Sequence, residues 1–311
     1  MSKDINSYKK ILRSQKLRFA IVNALSFLPD KLMLALQYYV KFHRKCNFDN
    51  AQRWTEKLQL YKMYYRNPLL GSCVDKYEVR RFIEEKGLSN TLTKLYAVYN
   101  NAEEIDINKL PDSFVLKTTD GGGGLNVVLV SDKTKIDLPK IKSEFNTWMG
   151  RFKLGAVPAG REWAYSQIKS TRIVAEELLI NRENPEAGIE DFKILCYHGE
   201  PKYIIVDKDR YIDHKRNFYD TEWNRVDVTT DHEQFDTPYP QPKNFDEMLR
   251  IAKILSKDFP FVRVDLYNVE GKIYFGELTF YPWTGYVQFT PDSFDFELGK
   301  LMDCSSFLPK K

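Results

Sequence analysis

Apolar residues recur along this chain with two different periods, and the switches between them mark out its elements. Near the N-terminus, Phe19–Leu28 and Leu32–Val40 read as helical stretches broken at Pro29, because proline cannot continue a helix. The run DKYEVRRFIEEKG predicts another helix, with Asp75 as N-cap, Tyr77, Val79 and Phe82 for packing, and Gly87 as the stop. A short strand over Lys94–Tyr99 follows. SFVLKTTD, the glycines Gly121–Gly124 and LNVVLV then read as strand, loop and strand, a hairpin rather than a strand feeding a helix. A helix over Leu138–Phe152 and a strand over Arg172–Leu179 complete this first set.

The second half opens on a hairpin, DFKILCYHGEPKYIIVDKD, turning at Gly199-Glu200-Pro201. Met248, Leu249, Ala252 and Leu255 at helical spacing predict a helix over Phe245–Lys257, with Asn244 as cap and Glu247 at the capping-box position. FVRVDLYN and KIYFGELTF form a further hairpin around Glu270-Gly271, and Asp292–Met302 predicts a closing helix. No internal repeat or low-complexity tract interrupts the pattern.

At 311 residues the chain is long enough for about two compact units, and a pair of lobes around a cleft fits that size. The 43% apolar and 14% aromatic content is that of a chain that folds rather than a disordered one. Cys46, Cys73, Cys196 and Cys304 lie far apart with no CxxC pair, which indicates neither a zinc site nor a disulfide framework and makes a reducing cytoplasm the expected compartment. No cleavable signal is expected, since the first apolar run starts only after six basic residues.

Charge is unevenly spread. Residues 1–45 hold ten Lys and Arg against Asp4 and Asp30, a balance of +8, so the remaining 266 residues sum to −4. A mildly acidic body without zinc-finger or RNP-type motifs argues against nucleic acid as a partner. Neither N-terminal apolar run reaches the roughly 18 residues of a membrane span. Basic flanks with Phe, Tyr and Leu suit a helix pair lying on an anionic membrane surface. The same segment equally suits a helical cap on the body, with Tyr38, Tyr39 and Phe42 in its core.

Candidate chemistry concentrates in RVDLYNVEGKIYFGELTF. Alternation places Arg263, Asp265 and Tyr267 on one face of their strand, and Phe275, Glu277 and Thr279 on one face of the next. Pairing around Glu270-Gly271 then brings Asp265 and Glu277 together. Two carboxylates that close repel unless a cation lies between them; Mg²⁺ with phosphate oxygens is one answer, and solvated strand charges with Arg263 bridging Asp265 are the other. Gly121, Gly122, Gly123 and Gly124 are either a flexible hairpin tip or a loop whose N–H groups approach phosphate, and Lys117 beside them favours phosphate. IVAEELLI, apolar except for Glu176 and Glu177, is either a surface strand or the wall of an adenine pocket.

In order, WTEKLQLYKMYYRNP, VDKYEVRRFI, LPDSFVLKTTDGGGG, GREW, AEELL, DFKILCYHGEPK, HKRNFYD, FPFVRVDLYNVEGKIYFGELTFYP and FELGKL make the chain resemble the TupA-like ATP-grasp ligases of bacterial surface-polysaccharide synthesis, from about Trp54 to Leu301. The resemblance implies an α+β ATP-grasp fold, two lobes with antiparallel sheets sandwiching ATP. Residues 1–50 would be the basic helical segment, 51–112 a lead-in, 113–180 the first lobe with its glycine lid and 181–311 the second lobe with the metal site. It further implies that Lys76 and Lys117 contact ATP phosphates under the lid Gly121–Gly124. Glu176 would accept from the adenine amine, and the backbones of Glu177 and Leu179 would touch the ring edge. Asp191 would hold the ribose, Lys215 or Arg216 another phosphate, and Asp265 and Glu277 the Mg²⁺, with Arg263 aimed at the transferring phosphoryl group. Many ATP-grasp sequences read Glu-x-Asn at the second metal strand; here Thr279 stands in the last place, and Asn268 is a substitute oxygen from the turn.

The reaction implied is activation of a carboxylate as an acylphosphate and its capture by an amine, with a sugar acid and an amino acid as partners, at the inner face of the plasma membrane. The rival is a sugar-nucleotide glycosyltransferase using Asp207-Lys208-Asp209 as a DxD motif, and a second is a nucleotide-binding protein without catalysis.

Overall fold

The computed structural model describes residues 24–122, 126–149, 158, 160–182 and 184–309. Of the elements expected from sequence, residues 19–23, Gly123, Gly124, Leu125 and the end of the helix over Leu138–Phe152 lie outside that set. Helix α1 (Asp30–Phe42) starts with an acidic residue in its first turn and buries Met33, Leu34, Tyr38 and Phe42. The Tyr38 hydroxyl meets Thr55 Oγ1 at 3.0 Å, so this face is a cap on the body. Its outer face leaves Leu32, Leu36, Tyr39 and Val40 exposed.

Helix α2 (Trp54–Tyr64) runs through the main core with Trp54, Leu58 and Tyr61 buried, and Glu56 at N3 closes its start by accepting from the Asn47, Gln52 and Arg53 amides. After α3 (Leu69–Val74), the helix expected from Asp75 is regular only as α4 (Val79–Glu85). Asp75 caps the turn before it, accepting from the Tyr77 and Glu78 amides. Gly87 (φ 74°) ends α4 as expected.

Strands β1 (Leu95–Tyr99), β2 (Phe114–Thr118), β3 (Val127–Val130) and, beyond helices α5 (Leu138–Met149) and α6 (Trp163–Ser166), β4 (Ile173–Glu176) form an antiparallel sheet in the order β1-β4-β2-β3. Its core joins Tyr99, Phe114, Leu116, Val130, Ile173 and Ala175 to Ile141 and Phe145 of α5. Strand β4 lies between two partners and is buried throughout, whereas the expected strand over Arg172–Leu179 ends at Glu176, where the chain leaves the sheet.

The second sheet has six antiparallel strands in the order β10-β9-β5-β6-β7-β8, formed by β5 (Asp191–Tyr197), β6 (Glu200–Lys208), β7 (Lys215–Asp220), β8 (Arg225–Val226), β9 (Phe261–Val269) and β10 (Lys272–Thr279). Helix α7 (Phe245–Ser256) packs Met248, Ile251, Ala252 and Leu255 into the same core as Ile194, Ile204 and Val264, and α8 (Ser293–Leu301) closes the chain against α2. Two turn and cap readings need correction. The β5–β6 turn is His198-Gly199, both at positive φ, which leaves Glu200 and Pro201 inside β6. Asn244 makes no capping bond to α7; its amide instead donates to the Gly271 carbonyl and its oxygen accepts from Asn268, tying the β9–β10 turn to the helix.

Candidate active site

The β9–β10 turn is Glu270-Gly271, as expected, with Val269 opposite Lys272. Continued regularly, that register would set Gly276 opposite Asp265 and turn Glu277 to the other face. A bulge between Phe275 and Glu277 intervenes, and Glu277 pairs with Asp265. The expected common face for Phe275, Glu277 and Thr279 is therefore wrong for Phe275. It pairs with Leu266 and packs in the core, while Glu277 and Thr279 lie on the opposite face with Asp265 and Arg263. Glycine suits the bulge, because a Cβ on Gly276 would stand 3.0 Å from the Asp265 carbonyl oxygen.

Arg263 organises the carboxylates. Its Nε donates to Asp265 Oδ1 at 2.6 Å and one terminal nitrogen to Asp265 Oδ2 at 2.5 Å. The same nitrogen reaches Glu277 Oε1 (3.2 Å) and Thr279 Oγ1 (3.0 Å), and Thr279 donates to Glu277 Oε1 at 2.9 Å. Burial raises the pKa of Asp265, against the pull of Arg263 and Lys193. Burial acts the same way on Glu277, but Lys76, Arg263 and the Thr279 hydroxyl outweigh it and hold that carboxyl down at about 2. Asn268, the substitute considered for Thr279, bonds Asn244 instead.

One row further along the sheet lies a buried ion network that the sequence reading did not single out. Lys193 pairs across the sheet with Asp265 and sits between Asp191, which its ammonium contacts, and Asp207 Oδ2 at 2.9 Å. Arg210 reaches Asp191 Oδ2 at 3.0 Å, while Asp191 Oδ1 is buried and has no described partner. Arg216 grips both oxygens of Asp207 (2.5 and 3.1 Å) and also contacts Asp231. Lys215, the other half of the expected pair, points away from Arg216 along the strand and pairs with Asp213 at 3.0 Å. The signal for Lys193 was present in DFKILCY, where alternation puts a lysine on the face of Asp191 in an otherwise apolar strand.

This network also bears on the DxD reading. With Lys193, Arg216 and His214 on its carboxylate, Asp207 is committed to cations of the chain itself, and Asp209 lies beyond β6 at φ 54°.

Across from the carboxylates, Lys76 bonds the Gly121 carbonyl, and its amide donates to Thr119 O at 2.9 Å. Burial lowers the Lys76 pKa, and the charge of Glu277 opposes this. Lys117 Nζ lies 2.7 Å from Glu176 Oε2, and Arg80 holds the other oxygen at 3.3 Å. Burial works against the Glu176 anion, and Lys117 and Arg80 more than offset it. The Glu177 amide donates to the Lys94 carbonyl at 2.9 Å, so an edge contact from Glu177 falls to its carbonyl. Leu179 is half-buried on the segment after β4. A Cβ on Gly122 would lie 3.5 Å from the Tyr165 hydroxyl, which puts that tyrosine beside Gly122; Gly123 and Gly124 lie outside the described residues.

The donors fit a hard cation that also binds phosphate. Two carboxylates and a hydroxyl converge, and among the described residues no third carboxylate, His or Cys joins them. Mg²⁺ is held in that way, by one or two carboxylates with phosphate and water oxygens completing its shell, rather than by a closed protein cage.

The fold is that of an ATP-grasp protein. A profile of the TupA-like ATP-grasp family matches residues 56–303, most of the chain, and the chain belongs to that family. No curated protein matches it. Among solved structures it is similar to D-alanine–D-alanine ligase from Bacillus anthracis, at 16% identity over 67% of this chain and 56% of that one, with a TM-score of 0.41. L-amino acid ligase from Bacillus licheniformis is 13% identical over 97% and 66% of the two chains, with a TM-score of 0.45. N5-carboxyaminoimidazole ribonucleotide synthetase from Thermus thermophilus is 9% identical over 75% and 53%, with a TM-score of 0.40. The chain spans between about half and two thirds of the length of these proteins.

Proposed function

We propose that this chain is an ATP-dependent ligase that activates the carboxylate of a sugar acid as an acylphosphate and joins it to an amine such as an amino acid, in the synthesis of a bacterial surface polysaccharide. The observation that carries the reading is the meeting of Asp265, Glu277 and Arg263, with the charge of Lys76, which bonds the Gly121 carbonyl, acting on Glu277.

In this reading residues 113–180 form the first lobe and 181–311 the second, with 51–112 leading in. Lys76 and Lys117 neutralise phosphate oxygens, and the Gly121–Gly124 segment covers them and excludes water. Glu176 accepts from the adenine amine while Glu177 and Leu179 offer backbone groups. Asp191 fits the ribose because its buried Oδ1 has an unused acceptor capacity among the described residues. Mg²⁺, held by Asp265 and Glu277 with Thr279 beside them, would supply charge stabilisation for the transferring phosphoryl group. Arg263, kept charged by Asp265 and Glu277, stabilises the oxyanion when the amine attacks the acyl carbon. Arg216 acts from the adjacent row through its clamp on Asp207, and Lys215 is the more exposed phosphate candidate.

The test is ADP release from MgATP across a panel of uronic acids and amino acids, repeated with Glu277→Gln. Release that depends on both partners and is lost in the variant supports the ligase. Release driven by no carboxylate, with a sugar nucleotide turned over instead, defeats it.

We also place residues 1–45 on the inner face of the plasma membrane. The +8 balance of that segment and the outward Phe27, Leu32, Leu36, Tyr39 and Val40 support a peripheral contact; no helix among the described residues is long and apolar enough to cross a membrane. Changing Leu32, Leu36 and Tyr39 together to Ser leaves the buried face of α1 intact, and unchanged sedimentation with anionic liposomes would remove the idea.

A further inference from the structure

Three residues after Thr279, the loop Pro282–Gly285 carries two consecutive non-glycine residues in the left-handed region, Trp283 at φ 49° and Thr284 at φ 55°. Thr284 is β-branched, so this backbone is strained and persists only where its surroundings hold it. What holds it is α2. Lys62 is 1% exposed, and its ammonium donates to the Thr284 carbonyl at 2.6 Å and lies 4.6 Å from the centre of the Tyr286 ring. Gln59, one turn earlier, donates to the Gly285 carbonyl at 3.0 Å. Among the described residues no carboxylate stands within ion-pair distance of Lys62; Glu162 is the acidic group that acts on it from farther away.

A buried ammonium without a paired anion is costly, and an apolar side chain would fill the same space more cheaply. We infer that Lys62 is a positioning residue, retained to hold the Pro282–Gly285 loop at the edge of the reacting centre. The loop sets Trp283 against the Arg216 guanidinium, 5.2 Å from the ring centre, and Arg216 in turn clamps the Asp207 that flanks Lys193. On its other side Thr284 Cγ2 lies 3.0 Å from where a Cβ on Gly160 would be, beside Glu162. The loop also follows closely in the chain on Thr279, whose hydroxyl is bonded to Arg263 and Glu277. Releasing Lys62 therefore displaces the wall beside the centre rather than the nucleotide contacts around Lys76, Lys117 and Glu176. The kinetic part of this inference rests on the ligase reading; the structural part does not.

The experiment labels the full chain with 5-fluorotryptophan and assigns the Trp283 resonance with Trp283→Phe. Lys62→Met is expected to shift or broaden the Trp283 signal while the Trp148 signal, in the core of the other sheet, stays in place. In ADP-release assays with glucuronic acid as probe, its KM is expected to rise tenfold or more while the KM for ATP stays within twofold. Adding Thr284→Gly, which takes the left-handed backbone freely, is expected to restore both readings. An unmoved Trp283 signal, a parallel rise in both KM values, or no recovery in the double variant each overturns the inference. Should Lys62→Met not fold, Gln59→Leu removes the neighbouring anchor and is read in the same way. If the unmodified protein releases no ADP with any uronic acid, the ligase reading falls, and the fluorine signal still decides the role of Lys62.

Discussion

Glu277 faces Asp265 because one glycine before it drops out of the pairing: Gly276 forms the bulge that moves Glu277 from the core face of β10 to the face of Asp265 and Arg263. A single-residue irregularity thus decides on which side of the sheet the second carboxylate lies. Gly276→Ala is expected to lower stability by about 1–3 kcal/mol, the usual cost of overpacking, since its Cβ would meet the Asp265 carbonyl at 3.0 Å and the Tyr267 ring at 3.2 Å. Thermal melts read the stability, and Mn²⁺ titration in the presence of an ATP analogue reads the expected parallel loss of metal affinity. Normal values in both would remove the bulge from the account of the site.

Glu277→Gln keeps shape and removes charge. The rate of ADP release is expected to fall about 100-fold or more, the scale on which preorganised electrostatic groups act, with little change in the melting temperature. A variant as active as the parent would falsify the assignment of Glu277 to the reacting centre.

Lys193→Met leaves Asp191 and Asp207 buried without the ammonium between them. Breaking a buried ion network on one side costs about 3–5 kcal/mol, so the urea midpoint is expected to drop sharply. Asp207→Asn in the same background should recover part of the loss; additive losses would mean that the two residues do not act on each other.

Lys62 gives the chain a pH signature. Burial lowers its pKa from 10.5 to about 8, so the folded state gives up this proton more readily than the unfolded chain does. The associated stability is complete above 10.5 and is lost as pH falls through about 8. The unfolding free energy of the parent is therefore expected to gain on that of Lys62→Met as pH rises from 8 toward 10.5. A difference that is flat or shrinking over this interval, in denaturant titrations, would show that Lys62 keeps an ordinary pKa.

The sequence revealed much of the fold because strand alternation and turn chemistry are local. Glu270-Gly271, the strands on either side of it and the closing helix near Ser293 are set by neighbours in the chain. The bulge at Gly276 was not legible, since it depends on what the other face of β10 must bury, namely Phe275 and Leu278. Asn244 looked like a cap because of its spacing from Glu247, yet a turn brought near from the other end of β9 competes for its side chain. Asp265 and Glu277 could be singled out, and their meeting expected, from alternation and the turn at Glu270-Gly271, whereas Lys76 came only through the resemblance. Lys193 was missed because a lone lysine in a strand is usually solvated, and only the sheet order sets Asp207 beside it. β7 and β8, carrying few apolar residues in a regular period, are held by pairing, β7 to β6 and β8 to β7, rather than by their own pattern.

The guanidinium of Arg263 already grips both oxygens of Asp265 and one of Glu277. A divalent ion arriving at that place meets a seat with a tenant. If the proposed Mg²⁺ is held by these carboxylates, its loading would be an exchange in which one positive charge gives ground to another, and the ion affinity would be the difference between two bindings rather than the strength of one. Such a swap would also confer readiness, because an arginine that yields its bonds there would remain beside the carboxylates, free to turn toward the next negative charge that forms.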